Sequence, residues 1–166
     1  RFGGGDKSII TLYNSNWSGI EDDLIRIGPL EDRHIVDLWK EVMLDDVEYS
    51  SDYRLRVNLS PRDVGCVGLF RRRMTVRQDK EMVTVMFNED DPPADIEVIS
   101  ISGETRSVKT YDNPRSPLYL DIGTAEIHHP EKIILKFIRD DIVMDMIILN
   151  NPGQAVAADF KGWVSF

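Results

Sequence analysis

Apolar and polar residues alternate along most of this chain in short runs that are separated by turn-forming residues. Tyr53, Leu55, Val57 and Leu59 alternate with polar neighbours, which is the period of two that a half-buried β-strand shows. Runs of the same kind predict strands at 8–13, 64–70, 74–77, 82–87, 95–102, 106–111, 118–122, 132–138 and 142–149. Weaker patterns predict further strands at 23–28 and 163–166.

Turn residues between these runs predict two hairpins, one over 70–87 and one over 132–149. Gly65 and Gly68 fall inside one of the runs, where an isolated glycine is typical of a β-bulge. We therefore expect consecutive strands to pair antiparallel, with bulges at these two glycines.

One stretch has the period of a helix instead. Ile35, Leu38, Trp39, Val42 and Met43 are spaced to share one helical face, and acidic residues 31 and 32 would fall in the first turn. The pattern predicts an amphipathic helix over about 31–44, with Trp39 in the core.

These elements predict a mainly β fold, an antiparallel β-sandwich or jelly-roll-like barrel with one amphipathic helix near the N-terminus. Turn signals recur about every 8 to 12 residues, which is typical of such folds, and no helix separates the later strands as a parallel sheet would require. The glycines at 3–5 predict a flexible lead-in over 1–7. Residues 8–166 would form a single β-rich domain.

The single cysteine, Cys66, excludes an intramolecular disulfide and a cysteine-based zinc site. Its apolar neighbours predict a buried, unreactive thiol. A chain with one cysteine favours the cytoplasm or another reducing compartment, and no run reaches the ~18 to 20 apolar residues of a membrane span. The chain begins with Arg1 rather than Met, which indicates a fragment, so N-terminal targeting cannot be assessed.

Charge is distributed unevenly along the chain. Residues 1–52 carry a net charge of −7, residues 53–80 carry +6 and residues 81–166 carry −8, within a total of −9. A basic band inside an acidic protein attracts an anionic surface. The candidate anion-binding residues are the arginines of this band that lie on predicted strands, namely Arg54, Arg56, Arg71, Arg72, Arg73 and Arg77.

Two interpretations of these arginines have equal weight. Strand alternation would place Arg71, Arg73 and Arg77 on one sheet face, with Arg54 and Arg56 on a neighbouring strand, and guanidinium groups bind carboxylate or phosphate bidentately. Alternatively, the arginines protect a sheet edge from aggregation and pair with the protein's own acids. The pI of 4.8 gives nucleic acid less weight, since dedicated binders are usually basic.

The sequence signals for catalytic and metal-binding groups are weak. Glu89, Asp90 and Asp91 form the best acidic cluster for calcium, but the spacing of a known calcium loop is missing, and we expect no metal. His128 and His129, with Glu126 or Glu131 nearby, resemble half of a metal or acid–base site. Without a known ligand spacing, a polar loop is the better interpretation. No cofactor motif, catalytic residue or small-molecule substrate is indicated.

The sequence therefore favours a non-enzymatic structural or interaction domain. Its basic band would contact an acidic surface of a protein partner or of a second copy of the chain. Viral matrix, coat and movement-type proteins are β-rich, cofactor-free chains of this general class, an analogy that no motif supports. The alternatives are a peripheral module that binds anionic lipid or nucleic acid, and a hydrolase that uses loop carboxylates.

Overall fold

The computed structural model describes residues 2–4, 6–26, 32–44, 54–87, 94–123 and 129–153, and this part of the chain is built of β-strands. The mainly β fold class is confirmed. In chain order the strands are β1 (Phe2–Gly4), β2 (Lys7–Tyr13), β3 (Ile20–Arg26), β4 (Arg33–Asp37), β5 (Val42–Met43), β6 (Arg54–Leu59), β7 (Val64–Arg71), β8 (Met74–Asp79), β9 (Met82–Phe87), β10 (Asp95–Ser102), β11 (Thr105–Tyr111), β12 (Leu118–Asp121), β13 (Lys132–Arg139) and β14 (Ile142–Asn150).

The strands form four antiparallel sheets. Sheet I pairs β3 with β6, and sheet II has the order β1-β2-β7-β4-β5. Sheet III has the order β11-β10-β13-β14, and sheet IV has the order β12-β9-β8. Both predicted hairpins are present as β8–β9 and β13–β14. The predicted strand at 163–166 lies outside the described residues.

Three hydrophobic clusters join the sheets in the order I, II, III, IV. The first places Leu55 and Leu59 of sheet I against one face of sheet II. The second places Val36 and Phe70, from the opposite face of sheet II, against sheet III. The third joins the other face of sheet III to sheet IV, and its members are Met74, Val83, Val85, Ile96, Val98, Leu120, Ile122, Ile133, Leu135, Phe137 and Ile147. Sheets II and III are therefore covered on both faces.

The helix predicted over 31–44 is wrong within the residues described there, 32–44, which form strand β4, a turn and strand β5. Ile35 and Val36 are both buried, yet they belong to clusters on opposite faces of sheet II, as strand alternation requires. The Asp37 carboxylate accepts hydrogen bonds of 2.9 Å from the backbone N–H groups of Trp39 and Lys40, which closes the turn. Trp39 is 64% exposed rather than part of the core.

The bulges predicted at Gly65 and Gly68 are absent, because β7 pairs with β2 in an unbroken register across both positions. Gly68 instead makes room for an aromatic ring. A Cβ atom there would lie 2.5 Å from Cε2 of Phe70 and 3.1 Å from Cδ1 of Leu38. The glycine thus allows close packing between sheets II and III. Close packing, like a β-bulge, is a common reason for a glycine inside a strand.

A buried carboxylate joins three of the strands. Asp145, on β14, is 0% exposed and receives hydrogen bonds on both oxygens. Its Oδ2 accepts from the backbone N–H groups of Arg73 at 2.7 Å and Met74 at 2.9 Å. Its Oδ1 accepts from Met146 N–H at 2.8 Å and lies 2.7 Å from Nδ1 of buried His34 on β4. Asp145 therefore fixes the point where the chain passes from β7 in sheet II to β8 in sheet IV.

Replacing Asp145 should reveal how much the fold depends on this carboxylate. We expect Asp145→Ala to lower the free energy of unfolding by about 3 to 5 kcal/mol, because His34 and three backbone N–H groups lose their partner inside the protein. The control Asp112→Ala removes an exposed carboxylate and should change it by less than about 0.5 kcal/mol. Urea unfolding measures both, and equal midpoints for the two variants would contradict the assignment.

A second test concerns the packing at Gly68. We expect Gly68→Ala to lower the free energy of unfolding by about 1 to 3 kcal/mol, since the new methyl group displaces the buried ring of Phe70. Gly19→Ala is the matched control, because its Cβ would meet only the Leu59 carbonyl oxygen, at 3.6 Å. A Gly68→Ala protein as stable as Gly19→Ala in thermal unfolding would show that the ring moves freely.

Candidate interaction surface

The structure distributes the six candidate arginines instead of gathering them on one face. Arg54 and Arg56 lie on β6 of sheet I, where Asp23 is the register partner of Arg56. Arg71 ends β7 in sheet II, and Arg77 lies on β8 in sheet IV. Arg72 and Arg73 form the connection between these two strands. The continuous strand face expected for residues 71–77 does not exist, because the chain changes sheets at Arg72 and Arg73.

Two of these arginines pair with the protein's own acids. Arg73 Nη2 lies 2.9 Å from Asp6 Oδ2, and Arg71 Nη1 lies 3.4 Å from Asp6 Oδ1. Arg71 Nε also lies 3.6 Å from Asp32 Oδ2. The side chain of Arg73 is only 13% exposed. Arg71 and Arg73 therefore fit the interpretation in which the arginines neutralise neighbouring carboxylates.

Arg72 and Arg77 differ from this pair. Both are exposed, and neither side chain forms an ion pair or a hydrogen bond in the part of the chain that the structure describes. An arginine without an internal partner keeps its full charge and its hydrogen-bond donors available at the surface. Among the four arginines at 71–77, these two are the ones available to bind a carboxylate from another molecule.

A third arginine of the band, Arg62, stacks on an aromatic ring. Its guanidinium carbon lies 4.3 Å from the centre of the Trp17 ring, within the range of a cation–π contact. Trp17 is 83% exposed. Buried Asn14 organises this loop by donating to the carbonyl oxygens of Ser18 and Ser60. The loop presents an exposed tryptophan, but its arginine is already engaged.

Arg77 belongs to the outer face of sheet IV, which we define as Thr75, Arg77, Asp79, Met82, Thr84, Met86, Tyr119 and Asp121. Strand alternation sets this face, because Met74, Val83, Val85 and Leu120 point into the core. Arg77 and Tyr119 flank Thr84 as its two register partners, so these three residues form one row across the sheet.

A second row on the outer face lies one residue pair further along the strands. Asp79 and Asp121 flank Met82 as its two register partners. This row ends the face at the β8–β9 turn, where the backbone N–H of Ile122 bonds the Glu81 carbonyl at 2.8 Å. The outer face therefore carries its free arginine in one row and two carboxylates in the next.

Large side chains without cover make this face suited to protein contact. Tyr119 is 64% exposed, Met86 41% and Met82 38%. Tyrosine, methionine and arginine are the residue types enriched in protein interfaces. The charge pattern of the sequence did not indicate Tyr119 or the two methionines. The period of two at 82–87 and 118–121 contained that signal, since it places them opposite the buried residues.

Cys66 is half-buried rather than fully buried. Burial raises the pKa of its thiol, and the negative charge of Asp37 raises it further. Both effects favour the protonated form, which is the less nucleophilic one. The geometry is thus consistent with a thiol that reacts slowly.

The candidate metal and acid–base groups are not brought together in the described residues. Glu89, Asp90, Asp91, Glu126 and His128 lie outside them. His129 is exposed, with Nε2 at 3.8 Å from Glu81 Oε1, while Glu131 accepts a hydrogen bond from Gly103 N–H. No group of three metal-binding side chains occurs in the ranges that the structure describes. Within those ranges there is also no helix long and apolar enough to cross a membrane.

Comparison of the chain with protein-family models, with curated proteins and with solved structures finds no match in any of the three. The physical features of the surface therefore carry the functional argument.

The reactivity of Cys66 gives a test of its environment. We expect the rate of alkylation by iodoacetamide to rise with pH around a midpoint above that of free cysteine, because burial and Asp37 both raise the pKa. Asp37→Asn removes the charge but keeps an oxygen for the turn, so the midpoint should fall toward that of free cysteine. Asp112→Asn serves as the control, and an unchanged midpoint in Asp37→Asn would refute the role of that carboxylate.

Proposed function

We propose that this protein is a non-enzymatic interaction domain, in which a layered antiparallel β scaffold of the sandwich type presents Arg72 and Arg77 to an acidic protein surface. The contact surface is the outer face of sheet IV together with Arg72, which lies in the β7–β8 connection that leads into this sheet. This is a narrower surface than the whole basic band of residues 53–80.

The observation that carries the proposal is the difference between neighbouring arginines. Arg71 and Arg73 lie within 3.4 Å of Asp6, whereas the side chains of Arg72 and Arg77 have no partner among the described residues. In a chain with a net charge of −9, acids for internal pairing are abundant. Two arginines that remain exposed and unpaired are therefore available for binding outside the molecule.

The surroundings of Arg77 favour a protein partner over a lipid surface or a nucleic acid. Asp79 and Asp121 lie in the next row of the same face, and both would repel a uniformly anionic polymer or membrane. A protein surface can place a carboxylate against the arginine and neutral or basic groups against the acids. Exposed Tyr119 and Met86 add apolar area that a protein partner can cover.

Binding of a short fluorescent peptide in which glutamate and lysine alternate, followed by anisotropy at low ionic strength, tests the proposal. We expect the peptide to bind the native protein and to dissociate as salt is added, because exposed charges are screened within about 10 Å at 0.1 M salt. The double variant Arg72→Glu with Arg77→Glu should weaken binding at least about tenfold. The double variant Arg106→Glu with Lys109→Glu makes the same change of net charge on β11 of sheet III; it is the matched control and should bind like the native protein.

Binding by the double variant would contradict the role of Arg72 and Arg77. If the double variant binds the peptide as tightly as the control, these arginines do not form the contact surface. Parallel titrations with phosphatidylserine vesicles and with single-stranded RNA test the alternative module. Tighter binding to either of these, lost in the same double variant, would replace the protein partner with that anionic surface.

A further inference from the structure

We infer that the partner of the outer face of sheet IV is the same face of a second copy of this chain. This inference rests on the proposed function and adds the identity of the partner. Its basis is that the face carries both signs of charge in a self-complementary order.

The geometry of the two rows defines that order. Neighbouring strands lie about 4.8 Å apart and alternate residues along a strand about 6.8 Å apart. The row Arg77–Thr84–Tyr119 therefore runs beside the row Asp79–Met82–Asp121 at about 7 Å. Arg77 and Asp79 share strand β8, while Tyr119 and Asp121 share strand β12.

The proposed dimer has a two-fold axis in its interface. The axis runs across the strands and passes between the two rows, so it places each row opposite the other row of the partner. Arg77 then lies opposite the partner's Asp79, and the same contact occurs a second time by symmetry. Thr84 lies opposite the partner's Met82. Tyr119 lies opposite the partner's Asp121, where its phenol O–H can donate to the carboxylate.

This arrangement pairs each polar group with a suitable partner and covers apolar surface at the same time. Arg77 and Asp79 have no internal partner in the described structure that the contact would have to break. Met82 and Tyr119, which are 38% and 64% exposed, become covered near the axis. The contact is isologous, so it closes at two copies and leaves no surface for open growth.

Charge reversal provides a direct test, because the two charged partners are in the same chain. The native protein should dimerise in sedimentation velocity at about 0.15 M ionic strength, where charges in direct contact are still only partly screened. Arg77→Asp or Asp79→Arg alone should raise the dissociation constant at least about tenfold, since like charges then face each other twice. The double variant restores opposite charges and should return to within about threefold of the native constant.

Controls separate this surface from other parts of the molecule. Tyr119→Ala should also weaken the dimer at least about tenfold, because tyrosine is a frequent energetic anchor of interfaces. Trp17→Ala removes an exposed aromatic side chain of the loop that Asn14 organises and should leave the dimer unchanged. At concentrations well below the native dissociation constant, where every protein is monomeric, the urea midpoints of all variants should match the native value, since every substituted side chain is exposed.

The possible failures have distinct meanings. A native protein that stays monomeric at about 0.1 mM, the range of a weak specific dimer, overturns the self-contact, and the titration with the alternating glutamate–lysine peptide then decides the proposed function separately. A dimer that survives Arg77→Asp, or one that the double variant does not restore, shows that another surface mediates association. A native protein that neither dimerises nor binds the peptide removes the proposed function as well.

Discussion

The position of the outer face depends on one buried carboxylate. Asp145 binds the backbone N–H groups of Arg73 and Met74 at the point where the chain leaves sheet II and enters sheet IV. Because Met74 is thereby held with its side chain in the core, Val76 also points inward and Arg77 points outward. A shift of β8 by one residue would bury the arginine and expose both apolar side chains. The hydrogen bonds of Asp145 thus determine which charges reach the surface.

Asp145 can bind the β7–β8 connection because it lies on β14, at the edge of sheet III, and sheet III packs between sheets II and IV. Sheet III is covered on both faces, so its strands contain consecutive apolar residues such as Ile133, Ile134 and Leu135. β14 is an edge strand of that sheet, and an unpaired edge can bind other chains. Asp145 uses this edge to hold the β7–β8 connection and His34. A charge inside an apolar strand is costly unless it is bonded in this way.

Strand positions could be predicted from the sequence wherever alternation or turn chemistry was clear. The segment 95–102 matches β10 in full, and the β13–β14 hairpin follows its turn residues. The helix over 31–44 failed because its apolar spacing also fits two short strands that bury Ile35 and Val36 on opposite sides. The layering could not be predicted, since it depends on contacts between distant residues. Asp145 acts on Arg73 and Met74 across the fold, and no local signal marks that pairing.

The proposed contact surface also depends partly on local sequence and partly on contacts between distant residues. The excess of arginine at 53–80 was visible in the sequence, but the sequence could not show which arginines are neutralised, because Asp6 reaches Arg73 only in the fold. Among the four arginines at 71–77, the pairing of Arg71 and Arg73 with Asp6 leaves Arg72 and Arg77 available. The acids beside Arg77 then change the interpretation from a basic patch to a mixed one. A net charge of −9 repels two copies at long range, so association has to rely on contacts in which opposite charges meet within a few ångströms. In the proposed dimer, Arg77 in one row and Asp79 in the next row of the same sheet face would meet that requirement.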